Sequence, residues 1–248
     1  FRDSDGYFTD IADWVGVTVS DASEVTDINW EKEMGFGLFG DDDDDDALDD
    51  LGIPKPGGSI DLSLVPPTVI DLLIPDLKLH GTIDTFALPR SLSTIDLDGN
   101  NFHGTFAAKG LPSGIDSIYI GNNRLSGTFD IAALPRKLGV VSLAKNMFGG
   151  TLSLKDFPPD LQFAVFIDNQ FHGPVDLSVL PKRLYNLRLE GNNFAFPNPL
   201  IVPSKSVNVC ILDEEGVHDV VTTEGVKLET TRYMRATAIR VVWPTTAN

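Results

Sequence analysis

The side chains that could do chemistry are few. The chain has 248 residues, four His and a single Cys, Cys210. His80, His103 and His172 share one register of a repeating sequence, His80 and His103 being 23 residues apart. On successive turns of a stacked sheet two such rings would sit about 4.8 Å apart, close enough to share a metal. No Cys and no carboxylate shell accompanies them, so they read as exposed turn residues. Eight of the ten residues from Asp41 to Asp50 are Asp, with an unbroken run from Asp41 to Asp46. Such a block could draw Ca²⁺ or a basic partner, yet it lacks the spaced ligands and turn glycine of a defined calcium loop. It reads as a solvated loop insertion. Cys210 falls at an inward strand position, where a buried structural thiol is expected rather than a nucleophile. No Ser/His/Asp set, phosphate-binding loop or metal tetrad occurs, so the sequence predicts no enzyme and no cofactor.

What must position any site is a repeat. Gly81, Gly104, Gly127, Gly150 and Gly173 follow one another at intervals of 23 residues. Leu88-Pro89, Leu111-Pro112, Leu134-Pro135, Phe157-Pro158 and Leu180-Pro181 keep the same spacing. A period of this size is the mark of a solenoid, whose turns each bury one face only by stacking on the next. After each Leu-Pro step comes the frame L-x-x-L-x-L-x-x-N-x-F-x-G, as in Leu92, Ile95, Leu97, Asn100, Phe102, Gly104 and Leu138, Val141, Leu143, Asn146, Phe148, Gly150. The x-L-x-L-x part alternates with period two and predicts a half-buried strand, so that stacked copies make a parallel sheet over one leucine core. Asn100, Asn123, Asn146, Asn169 and Asn192 recur where the chain leaves that strand. There an inward amide can satisfy backbone groups of neighbouring turns that would otherwise be buried unpaired. The stretch Gly127 to Asp130 suggests a second short strand, and a Pro in every return segment predicts an extended or 3₁₀ outer side.

The pattern resembles the leucine-rich-repeat family, in particular its plant-type subclass and the similar 23-residue repeats of protist proteins. The resemblance covers residues 59 to 212. It extends to Trp14-Val15-Gly16-Val17-Thr18 and Val25 to Trp30, which look like the N-terminal cap of plant-type repeats, with Val19 where that cap places a Cys. It implies a mainly β, α/β-type solenoid: a right-handed arc of about seven turns with a parallel concave sheet and a non-helical or 3₁₀ convex side. The expected organisation is an N-terminal cap (1–37), a degenerate repeat with the poly-Asp insertion (38–58), the repeats (59–212) and a C-terminal β extension (213–248).

Composition limits the partners. Residues 1–50 hold 17 acidic and 2 basic residues, and residues 51–248 hold 19 and 17, so the net charge of −17 is almost wholly N-terminal. A pI near 4.4 argues against a nucleic-acid backbone as ligand. One Cys excludes an intrachain disulfide, and no run approaches the ~18 apolar residues of a membrane span. None of the 13 Asn lies in a glycosylation sequon. A start at Phe1 suggests a processed N-terminus, hence an organelle lumen (plastid or mitochondrion) or secretion, soluble or peripheral.

Binding on the concave face is what the resemblance implies, and its columns can be read directly. One runs Leu73, Asp96, Tyr119, Ser142, Val165, Arg188; its flanks run Asp71, Thr94, Ser117, Val140, Phe163, Asn186 and Pro75, Asp98, Gly121, Ala144, Ile167, Glu190. Val140, Ala144, Phe163, Val165 and Ile167 thus form an apolar patch beside Tyr119, flanked by Asp96, Asp98 and Arg188. Such a patch marks an interface, unless the C-terminal segment or the insertion folds across it. Arg90, Arg136, Lys137, Lys182 and Arg183 follow the Leu-Pro steps and read as a solvated lateral stripe. The expected function is a non-enzymatic protein-binding or scaffold module. The alternatives are a permanent accessory subunit of a larger assembly, organellar or not, and a carbohydrate- or surface-binding protein.

Overall fold

Each 23-residue unit makes one turn of a solenoid in the computed structural model, which describes residues 10, 14, 16–30, 57–204, 207–234 and 237–243. The poly-Asp run and the rest of 31–56 lie outside the described residues. A hairpin of β1 (Val17–Val19) and β2 (Val25–Asn29) comes first. Through the repeats follow β3 (Asp71–Leu73), β4 (His80–Gly81), β5 (Thr94–Asp96), β6 (Asn101–Thr105), β7 (Ser117–Tyr119) and β8 (Arg124–Thr128). Next come β9 (Val140–Ser142), β10 (Met147–Gly150), β11 (Phe163–Val165), β12 (Gln170–Pro174), β13 (Asn186–Arg188) and β14 (Asn193–Ala195). The chain closes with β15 (Leu200–Val202), β16 (Val209–Asp213), β17 (Val220–Thr222), β18 (Lys227–Arg232) and β19 (Ala238–Val242).

Two sheets result. The concave one runs β2-β3-β5-β7-β9-β11-β13-β16 with parallel pairing throughout; β19 then joins β16 antiparallel and β18 joins β19. A second parallel sheet, β4-β6-β8-β10-β12-β14, lies one bend further along each turn. It begins directly after the ladder Asn, as in Arg124–Thr128, rather than spanning Gly127 to Asp130. Asp130 instead caps a 3₁₀ turn, Ile131–Ala133, where the Ala132 N–H donates to its Oδ1 at 3.1 Å. Equivalent 3₁₀ turns at Ala108–Gly110 and Leu154–Asp156 fill the return side, each ending two residues before a repeat Pro.

The core is the column of inward residues. Ile95, Ile118, Val141, Ala164 and Leu187 are fully buried, as are Leu97, Leu143 and Leu189 one step on. At the bend behind them Phe148, Phe171 and Phe194 stack face to face, with centroids 6.3 and 6.2 Å apart. The residue before each ladder position, Asp76, Gly99, Asn122, Lys145, Asp168 and Gly191, adopts positive φ between 46° and 74°. That left-handed step turns the chain from the first sheet toward the second.

Candidate functional site: the concave face

Strand pairing sets the columns in register. Thr94, Ser117, Val140, Phe163 and Asn186 are successive cross-strand partners, as are Asp96, Tyr119, Ser142, Val165 and Arg188. Because each strand buries its middle residue, both columns stand outward and half-exposed. Val140 therefore lies beside Phe163, and Val165 lies on the same strand as Phe163 two residues on. Ala144 is half-buried one column over. Tyr185, just before its strand and 48% exposed, packs its ring 5.6 Å from that of Phe163. It widens the apolar surface, and column counting missed it because it precedes the strand frame by one residue.

The N-terminal half of the same face is acidic. Asp96 pairs across the sheet with Tyr119, and its Oδ1 accepts the Asp98 N–H at 2.9 Å. Burial, then Asp96, then Asp76, push the Asp98 carboxyl up to about 6, although the Gly121 N–H donated to it works the other way. Burial is also the main reason the Tyr119 hydroxyl titrates above its ordinary value, with Asp96, Asp116 and Asp98 adding to it.

The C-terminal end of the face is closed. Ile167, expected in the exposed patch, is only 9% exposed, while Glu190 and Ile211 are fully buried. Arg188 is not a free cation: it forms an ion pair with Glu190, and its guanidinium lies 5.3 Å from the Tyr233 ring. Tyr233 sits between β18 and β19, so the C-terminal segment reaches over the sixth turn, while Val140, Phe163 and Val165 are half-exposed. Beneath it Asn186 Oδ1, Arg188 Nε and Glu190 Oε2 are buried without hydrogen-bond partners.

Under the face runs the Asn column. Each amide of Asn123, Asn146, Asn169 and Asn192 donates to carbonyls of its own and the preceding turn, and each Oδ1 accepts one outer-sheet N–H. Asn100 does the same, its Oδ1 taking the Leu77 and Leu79 N–H groups. Cys210 is fully buried and its thiol is pushed up to about 12, first by burial and then by Glu190. Arg90 is exposed, as a solvated stripe requires, and also donates to the carbonyls of Thr85, Leu88 and Gly110, clamping adjacent turns. His80, His103 and His172 are exposed on the second sheet. Among the described residues no three His, Cys, Asp or Glu gather to hold a metal, and no helix is long and apolar enough to cross a membrane.

No protein-family model and no curated protein matches the sequence. Among solved structures, the leucine-rich-repeat ectodomain of the plant membrane receptor kinase GASSHO1/SCHENGEN3 from Arabidopsis thaliana, in complex with Casparian strip integrity factor 2, is similar. The TM-score is 0.57 and the identity 22%, over 89% of this chain and 27% of that one. The Arabidopsis receptor kinase HAESA, in complex with a peptide hormone and a co-receptor, gives a TM-score of 0.53 at 21% identity over 67% of this chain and 28% of that one. The chain thus spans little more than a quarter of either. The likeness is one of fold, and with the in-register turns it defines a leucine-rich-repeat solenoid.

Proposed function

We propose that this protein binds a protein partner on its concave sheet and does no chemistry there. The observation that carries this reading is the half-exposed apolar surface of Val140, Phe163 and Val165, widened by Tyr185, on a sheet whose stability rests on the residues beneath it. Exposed apolar surface of this kind on a rigid scaffold is characteristic of an interface. The acidic half around Asp96 and Asp98 gives the partner an orientation, because a matching basic group would face that end. The solved structures of similar fold, one in complex with a peptide hormone and a co-receptor and one in complex with Casparian strip integrity factor 2, support the same reading.

Cross-linking mass spectrometry in native material identifies the partner. The double substitution Phe163→Asp with Val165→Asp should then weaken its capture at least tenfold while the unfolding midpoint stays nearly unchanged. Undiminished capture would refute the concave site, and a large loss of stability would show these side chains to be core. Size-exclusion chromatography of native extract addresses permanence: a free monomer of 27.0 kDa excludes a permanent subunit.

A further inference from the structure

We infer that the open edge of the second sheet, at β14, takes up an extended basic polypeptide segment as an added strand, a binding site separate from the concave face. In each interior turn the second-sheet N–H at the Phe position is met by the next turn's ladder amide: Phe102 by Asn123 (2.9 Å), Leu125 by Asn146 (2.9 Å), Phe148 by Asn169 (3.0 Å) and Phe171 by Asn192 (3.1 Å). One period beyond Asn192 stands Glu215, exposed in a turn that the Val217 N–H closes on the Glu214 carbonyl. The ladder therefore ends, and among the described residues Phe194 receives no such bond.

Register directs the unused groups. The Val175 N–H donates to the Ala195 carbonyl, so Asn193 and Ala195 face β12, and by alternation the N–H and C=O of Phe194 face away from the sheet. They face a groove of about 1020 Å³ whose walls are Asn192 to Phe196 on one side and Asp213 to His218 on the other. The opposite edge, β4, is already met by Ser59 through a parallel bridge to His80. An open edge beside a groove of this size is the arrangement by which an extended peptide is held through its backbone.

The chemistry of the walls selects the occupant. Asp213 is engaged with the Gly191 and Asn192 N–H groups, but Glu214 and Glu215 are exposed, and among the described residues lining the groove no Lys or Arg faces them. A Lys or Arg on the incoming strand would meet them, and an apolar side chain would pack against Phe194 and Phe196, whose rings lie 6.4 Å apart in the groove wall. β14 is three residues long and is soon followed by Pro197, which has no N–H, so the added strand is short.

A suitable probe is the peptide Lys-Asn-Met-Phe-Gly-Gly-Thr, this chain's own residues 145–151, acetylated and amidated at its ends. Titration followed by amide NMR should shift Asn193 to Phe196 and Glu214 to His218 and slow exchange of the Phe194 amide. Glu214→Lys with Glu215→Lys should weaken binding at least tenfold, and methylating the peptide's backbone nitrogens at Asn and Phe should abolish it. No shift at β14 at millimolar peptide would overturn the site. Equal binding by the methylated peptide would overturn strand addition. A concentration-dependent dimer shifting the same amides without peptide would replace the basic partner by a second copy. The concave double substitution should leave this binding intact, so the two sites stand or fall separately.

Discussion

Asn146→Ala tests the ladder where its accounts can be drawn up atom by atom. The amide is 8% exposed. It donates to the carbonyls of Ile120 (2.8 Å), Leu143 (3.1 Å) and Ala144 (3.3 Å), and it accepts the Leu125 N–H at 2.9 Å. Three of those groups survive truncation with a partner. The Ile120 carbonyl keeps Asn123 at 3.3 Å, Leu143 keeps Asn169 at 2.9 Å, and Ala144 keeps the Asn122 N–H at 2.7 Å. Only the Leu125 N–H is stranded in the core, so the expected loss is that of one buried unpaired donor plus some weakened bonds, about 2–3 kcal/mol. Asn192 makes the same bonds, but it is half-buried at the end of the array, where its bond from the Phe171 N–H is only part-buried. Asn192→Ala should therefore cost only about 1 kcal/mol. Asn146→Asp should be worse than Ala, since a carboxylate would face three carbonyl oxygens. Urea unfolding with amide exchange at Leu125 is the assay, because a repeat array can open locally before it unfolds. Equal losses at Asn146 and Asn192, or a near-neutral Asn146→Ala, would refute the reasoning.

The raised Asp98 carboxyl makes a signed prediction about pH. With a folded value of about 6 against 3.8 for the ordinary group, the native state holds the proton more tightly, so this residue's contribution to stability falls as pH rises through that window. Asp98→Asn keeps an oxygen for the Gly121 N–H; its stability advantage over the parent should grow between about pH 4 and about pH 7, and a constant difference would contradict the assignment. Buried and pushed up to about 12, the Cys210 thiol should ignore thiol reagents in the native protein and react fully in denaturant. Rapid labelling of the native chain would show that β16 is not closed.

The sequence was most legible where one rule is repeated. Period-two alternation placed Ile95, Ile118 and Val141 inward and their neighbours outward, and the 23-residue spacing put Asn123, Asn146 and Asn169 in a single column. It was less legible where the turn depends on backbone conformation rather than residue type. Asp76, Asn122, Lys145 and Asp168 share positive φ with Gly99 and Gly191, and no common side chain announces it. Asp130 looked like the end of a strand because a capping carboxylate and a strand-ending one are alike on paper. The site divides in the same way. Columns placed Tyr119, Val140, Phe163 and Val165 side by side, but the ring that covers the Arg188 guanidinium is Tyr233, 45 residues further on, and no local pattern links those two positions.

That division says where function can vary at little structural cost. The core residues and the Asn amides bond to the turns before and after them, so a change at Leu143 or Asn146 is felt by neighbouring turns. Val140 and Phe163 face away from that network, and their strand pairing is backbone to backbone, which any non-proline residue supplies. Apolar side chains there add little to the fold that Thr94 and Ser117, at the same column positions, do not also permit. Leaving Phe163 beside Tyr185 at the surface costs solubility without strengthening the sheet. Under the proposed function a surface buried on a partner would supply the compensating gain, and the contrast between polar Thr94 and Ser117 and apolar Val140 and Phe163 is what would place that partner along the arc.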